Sequence, residues 1–166
     1  VSLTLRYSGG SLSWPGGAAR AACGRAGVRA GKREGDGASP AGRFPLVSAF
    51  YRADRLAAPR CGLELMALSP ELAWVDDPAD PQYNRLVALP YPARHERLWR
   101  SDGLYDIAVV IGYNMDPVVP GAGSAIFLHV AREDFAPTEG CIAVARPVLA
   151  RLLGLLGPGS AITIAP

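Results

Sequence analysis

The chain has 166 residues, 49% of them apolar, and a net charge of +2. That suffices for one domain with its own core and excludes a disordered chain. There is no dense basic block and no apolar run long enough to span a bilayer, which argues against a nucleic-acid partner and a membrane-spanning helix. The basic residues are sixteen Arg and a single Lys, Lys32, a bias read as genome composition before function. The three cysteines, Cys23, Cys61 and Cys141, are an odd number. A Cys23–Cys61 disulfide and three free thiols both stand open.

Ser2 to Tyr7 alternates polar and apolar residues, with Leu3, Leu5 and Tyr7 on one side, and predicts a half-buried strand. Gly9-Gly10 signals a hairpin, Ser11 to Trp14 its return strand, and Ala18 to Cys23 a further strand. Lys32 to Gly42 is the most polar stretch, broken by Gly35, Gly37, Pro40 and Gly42. Residue type alone makes it a solvated turn; as part of a site it would wall a cleft. It lacks a Gly-Lys-Ser/Thr ending and a following helix, so nucleotide binding is not expected. Arg43 to Tyr51 predicts a long strand.

Asp54 to Pro92 reads as irregular, because Pro59, Pro70, Pro78, Pro81, Pro90 and Pro92 interrupt it. Asp76-Asp77 has no ligand-spaced partner for a metal and reads as a turn cap. Tyr83-Asn84-Arg85 offers an aromatic, an amide and a guanidinium, suited either to a sugar-peptide or to a buried hydrogen-bonding scaffold. Arg94 to Arg100 has helical character, and its His95 reads as a surface or supporting residue. Tyr105 to Ile111 predicts a central strand, ended by Gly112-Tyr113-Asn114. An apolar strand Ala125 to Leu128 runs into His129. Arg132 to Pro137 is a polar loop. Past Cys141 a helix is expected, with Pro147 early and Val148, Leu149, Leu152, Leu153 and Leu156 on its core face, stopped by Gly157-Pro158-Gly159. Ala161 to Ile164 is a last strand. The fold class is mainly β with one or two helices, in a single domain.

His129 and Cys141 stand twelve positions apart, across a loop and the tight turn Thr138-Glu139-Gly140-Cys141. Strand, loop and Gly turn together can fold the imidazole over the thiol. An imidazole can take the proton of a thiol, and an ion pair between them would depress the thiol pKa. Backbone N–H groups of the Gly140-Cys141 turn can receive the oxyanion of an attacked carbonyl. No Asp or Asn stands out to orient His129, and a backbone carbonyl would serve. By itself the pair also admits a bland account: a buried Cys and a structural His.

The segment resembles the catalytic stretch of the L,D-transpeptidases, the YkuD-type domain of bacterial cell-wall enzymes. The family's His, loop, Ser or Thr, variable residue, Gly and nucleophilic Cys match His129, Thr138, Glu139, Gly140 and Cys141. Lys32-Arg33-Glu34-Gly35-Asp36-Gly37 with Ser39-Pro40-Ala41-Gly42-Arg43-Phe44 resembles the family's entry segment. Ile111-Gly112-Tyr113-Asn114 and Gly123-Ser124-Ala125-Ile126 also fit one branch. Three positions depart from many members: Val130 stands for Gly, Glu139 for His or Arg, and Ala143 for Arg or Asn.

The resemblance implies a YkuD-like β-sandwich and a peptidoglycan L,D-transpeptidase. Cys141, His129 and Gly140 would be catalytic, on donor and acceptor stem peptides, with no metal or organic cofactor. On residue type and placement Tyr113, Asn114, Tyr83 and Asn84, and with them Ser124, Thr138 and Arg132, are expected to contact substrate; turn chemistry is the other role open to Tyr113 and Asn114. The departures point to a divergent branch and a non-standard donor bond. Acylation by carbapenems, a monomeric state and a place in the periplasm or envelope are further expectations; the first residues carry no leader pattern and no initiator Met. An L,D-carboxypeptidase or endopeptidase, with water as acceptor, and a non-catalytic peptidoglycan-binding domain are the alternatives.

Overall fold

The computed structural model describes residues 2–166. A hairpin and its extension open the chain: β1 (Thr4–Ser8), β2 (Ser11–Trp14) and β3 (Gly17–Ala22). Gly9 and Gly10 make the first turn with φ of +55° and +84°, left-handed values that side-chain-bearing residues adopt reluctantly. The short strands β4 (Val28–Arg29) and β5 (Ser39–Pro40) pair with each other around the Lys32 loop. The long β6 (Gly42–Tyr51) follows, then β7 (Glu64–Ala67), β8 (Leu72–Val75), β9 (Leu86–Ala88) and β10 (His95–Arg97). The chain closes with β11 (Ile107–Ile111), β12 (Phe127–Val130), β13 (Ile142–Val144), α1 (Arg146–Leu153) and β14 (Ala161–Ile164).

The main sheet runs β11-β12-β13-β3-β2-β1-β14-β6-β7, and β11 also pairs with β6. β6 can join both ends because it is ten residues long. Its first half pairs with β14 and its second half with β11 and β7. The sheet therefore folds over on itself around one core. Leu5, Tyr7 and Leu12 meet Ile107, Val109, Leu128, Ile142 and Ile162 there, with Leu149, Leu152 and Leu153 of α1 packed in. Mostly β with one helix, this is the architecture expected from the sequence. Among the described residues no helix is long and apolar enough to cross a membrane.

β11 is buried at all five residues because both of its faces are covered. Ile107, Val109 and Ile111 face the main core, while Ala108 and Val110 face a second apolar cluster with Phe50, Trp74, Tyr105 and Phe127. A small sheet, β10-β8-β9, supplies the cover. Two stretches differ from the structure expected of them. Asp54 to Pro92 is not wholly irregular, since it carries β7, β8 and β9 between its prolines. Arg94 to Arg100 is not helical: His95, Glu96 and Arg97 pair with Val75, Trp74 and Ala73, and the Arg52 guanidinium lies 3.5 Å over the Trp99 ring. A free edge on β8 and a cation over an aromatic face outweigh a weak helical preference.

Smaller shifts have local causes. β12 begins at Phe127, since Ala125 takes φ +54° and cannot extend the strand. α1 ends at Leu153 rather than reaching Leu156, with Gly154 at its C-cap. All three cysteines are free thiols.

Candidate active site

β12 and β13 run parallel, with Leu128 opposite Ile142 and His129 opposite Ala143. Side chains alternate along each strand, so this register sorts them. Leu128, Val130, Ile142 and Val144 enter the main core, whereas Phe127 and Cys141 belong to the second cluster. His129 and Cys141 therefore share the outer face as diagonal neighbours. Both open into one cavity of about 570 Å³. Its floor is the outer face of β12 and β13, and the β10 strand with its following loop forms the opposite wall through Glu96, Arg100 and Leu104. Opposite His129, the small Ala143 side chain leaves the space clear.

The imidazole is 5% exposed. Its Nδ1 lies 2.9 Å from the Val130 carbonyl, which can only accept, so Nδ1 carries the proton and Nε2 is the free base. A backbone carbonyl does orient the ring. The Tyr105 ring packs edge-on at 5.4 Å, and its hydroxyl donates to Glu96 at 2.7 Å. Burial, only partly opposed by the Val130 hydrogen bond, takes the His129 pKa down to about 4.

The thiol of Cys141 donates to the Ala125 carbonyl at 3.3 Å and accepts the Phe127 N–H at 3.3 Å. Burial pushes its pKa up to about 12, against the Phe127 N–H and the charges of Lys32 and Arg100; Glu96 adds to the rise. The resting site is therefore a neutral thiol beside a neutral imidazole, not the ion pair expected from residue types. Desolvation penalises each charged form more than the partners present compensate it.

The turn before Cys141 is tightly specified. Thr138 Oγ1 accepts the Gly140 N–H at 3.0 Å and donates to the Cys141 carbonyl at 2.6 Å. The Gly140 carbonyl accepts from Ser39 Oγ at 2.7 Å. Gly140 has φ +144°, and a Cβ there would sit 2.8 Å from the Ala38 carbonyl oxygen, so only glycine fits. With its N–H taken by Thr138, Gly140 does not present the free oxyanion donor expected of it.

The Lys32 loop is not a solvated turn. Lys32, Ala38 and Ser39 are buried, and the loop packs against the Gly140 turn. Asp36 organises it by accepting the Arg33 and Ala38 N–H groups and the Lys32 ammonium. These bonds overcome the cost of burial and hold its carboxyl at about 2.

Of the expected substrate contacts, Ser124, Thr138 and Arg132 line the cavity. Tyr83, Asn84, Tyr113 and Asn114 stand outside its lining, and their polar groups are engaged within the protein. Asn84 accepts from Trp74 Nε1 and the Ala125 N–H, and donates to the carbonyls of Tyr113 and Asn114, at 2.8–3.1 Å. It thereby fixes Ala125, whose carbonyl holds the thiol. Tyr83 donates to Glu34 at 2.6 Å, Ser124 to the same oxygen at 2.5 Å, and the Gly123 N–H donates to Tyr83. Tyr113 donates to the Ala122 carbonyl, and the Asn114 amide bridges Val119 and Gly123. These side chains build the seat of the Cys141 thiol.

Glu96 and Arg100 line the cavity without having been marked in the sequence, and Lys32, Glu34 and Asp76 lie in stretches read there as a solvated turn or cleft wall and as a turn cap. Arg100 grips Asp102 through two bonds of 2.7–2.8 Å, and burial raises the Glu96 pKa. One signal was available: Lys32 is the only lysine in a chain that otherwise uses arginine.

A family model described as the L,D-transpeptidase catalytic domain, YkuD, matches residues 3–164. Comparison with curated proteins returns no match, and comparison with solved structures returns none.

Proposed function

Since the chain belongs to the L,D-transpeptidase catalytic domain family, we propose that it is a peptidoglycan L,D-transpeptidase of the periplasm or cell envelope, with Cys141 as nucleophile and His129 as base and acid. The observation that carries this reading is the convergence of the thiol and an Nε2-basic imidazole on one cavity. His129 Nε2 takes the thiol proton as Sγ attacks a carbonyl carbon of the donor stem peptide. The tetrahedral intermediate collapses, the amine leaves with the proton from His129, and a thioester remains. The side-chain amine of a diaminopimelate on a second stem then attacks the thioester. His129 takes the amine's proton and returns it to the thiolate, which restores the free enzyme.

The resting pair favours proton transfer concerted with attack, because neither ionised form is stable before substrate arrives. The Cys141 N–H serves as the backbone oxyanion donor. Charge in the cavity suits a zwitterionic peptide: Glu34, Asp76 and Glu96 line it for an ammonium, and Arg100 and Arg132 for carboxylates.

The test is incubation of the protein and a Cys141→Ala variant with disaccharide-peptide fragments, with products read by mass spectrometry. A cross-linked dimer formed only with Cys141 is the expected result, and fragmentation identifies the donor bond. A product that has only gained water assigns a carboxypeptidase or endopeptidase instead. No product from folded protein with several donor stems overturns the enzymatic reading and leaves a peptidoglycan-binding domain.

A further inference from the structure

Lys32 has a side chain only 3% exposed, far below what an ammonium normally tolerates. Its Nζ donates to Asp36 at 3.0 Å and to the Arg33 carbonyl at 3.4 Å. Two partners for three protons leave one donor unassigned. The ammonium lies against the nucleophile's turn: a Cβ at Gly140 would come within 3.3 Å of Nζ, and one at Gly123 within 2.9 Å of Cε. Both glycines therefore make room for this side chain. Lys32 also lines the cavity into which Cys141 opens. A lysine presents a compact point charge in such a slot, where the wider, planar guanidinium of arginine would not seat in the same way.

The site needs that charge. Gly140 cannot offer its N–H, which Thr138 holds, and the buried thiol is disfavoured as thiolate. We propose that Lys32 belongs to the catalytic machinery: its ammonium offsets the negative charge that forms first on Sγ of Cys141 and then on the oxygen of the attacked carbonyl. This deepens the transpeptidase reading and rests on Cys141 being the nucleophile. No other reactant is required, since the thiol proton still passes to His129.

The other charges facing the thiol do not replace it. Glu96 disfavours the thiolate, and Arg100 favours it from the opposite wall while gripping Asp102. Tyr105, donating to Glu96, titrates far above neutrality, and His129 stays uncharged down to about 4. Glu34 is held by two hydroxyls, and Glu139 pairs outward with Arg25.

The experiment measures alkylation of Cys141 by iodoacetamide across pH, read by peptide mapping so that Cys23 and Cys61 are counted separately. It requires no stem peptide, so it separates failure of this inference from failure of the transpeptidase reading. Lys32→Met removes the cation and Asp36→Asn removes its counter-charge. An electrostatic role predicts opposite shifts. Lys32→Met moves the rate–pH line up by about one pH unit, about tenfold slower alkylation at a fixed pH, the usual scale for losing a nearby opposite charge. Asp36→Asn moves it down. A merely structural ion pair would shift both variants the same way or neither, and either result overturns the proposal. Should Lys32→Met fail to fold, an unmoved or upward line for Asp36→Asn overturns it alone.

Discussion

Replacement of His129 by Gln tests the electrostatic state of the site without any substrate. The unfolded imidazole titrates near about 6.5, the folded one near about 4 because it is buried. Between those values the unfolded chain holds a proton that the folded protein lacks, so stability rises with pH through this window and falls as pH drops. From about pH 7.5 to about pH 5 the unfolded state gains about 2 kcal/mol of protonation free energy that the folded state does not share. His129→Gln removes this contribution while keeping an uncharged polar side chain. The measurement is urea unfolding of both proteins at the two pH values. Wild type is expected to lose about 2 kcal/mol more than the variant on acidification. Glu96 acts with the opposite sign, since its raised pKa means the folded state takes its proton first; present in both proteins, it cancels in the difference. Parallel losses in the two proteins would refute the claim that burial holds His129 neutral.

Other outcomes follow from the same contacts. Gly140→Ala combines left-handed backbone with a Cβ against the Ala38 carbonyl, and should cost about 2 kcal/mol in urea unfolding and, under the proposed function, most cross-linked product. Thr138→Val removes the acceptor for Gly140 N–H and the donor to the Cys141 carbonyl; stability should fall by about 1–3 kcal/mol and kcat with it, which steady-state kinetics on stem peptides would check. Asn84→Ala deletes four hydrogen bonds and should lower the unfolding free energy by about 3 kcal/mol or more, while the folded fraction keeps its KM; a raised KM would restore Asn84 as a substrate contact. A carbapenem should add its full mass at Cys141, and intact-protein mass spectrometry should find no adduct on Cys141→Ala.

Strand periodicity, turn glycines and the His129–Cys141 spacing were legible in the sequence because each is a local property. Alternation marks a half-buried strand, Gly9-Gly10 a hairpin, and a Gly-Cys turn after a His strand a place where a thiol and an imidazole can share a face. The one helix was also legible, through Pro147 and its leucine stripe. What residue types alone misjudged depended on partners far along the chain. Arg94 to Arg100 became β10 because β8 offered it an edge. Lys32 to Gly42 turned inward because Ser39 and Lys32 meet the Gly140 turn about a hundred residues on. For Tyr83 and Asn84, residue type left substrate contact and buried scaffold both open; in the fold the Asn84 amide holds Ala125 and the Tyr83 hydroxyl joins Gly123 to Glu34. The charge state of the site belongs to the same class: an imidazole and a thiol suggest an ion pair, but burial by Phe127, Tyr105 and the β10-β8-β9 cover keeps both neutral. The sequence by itself determined the opening hairpin, the long strands and the one helix, and which two side chains could do chemistry. Tertiary structure alone decided which groups surround them and in what dielectric, because desolvation and hydrogen-bond satisfaction are properties of a three-dimensional neighbourhood and not of any single stretch of chain.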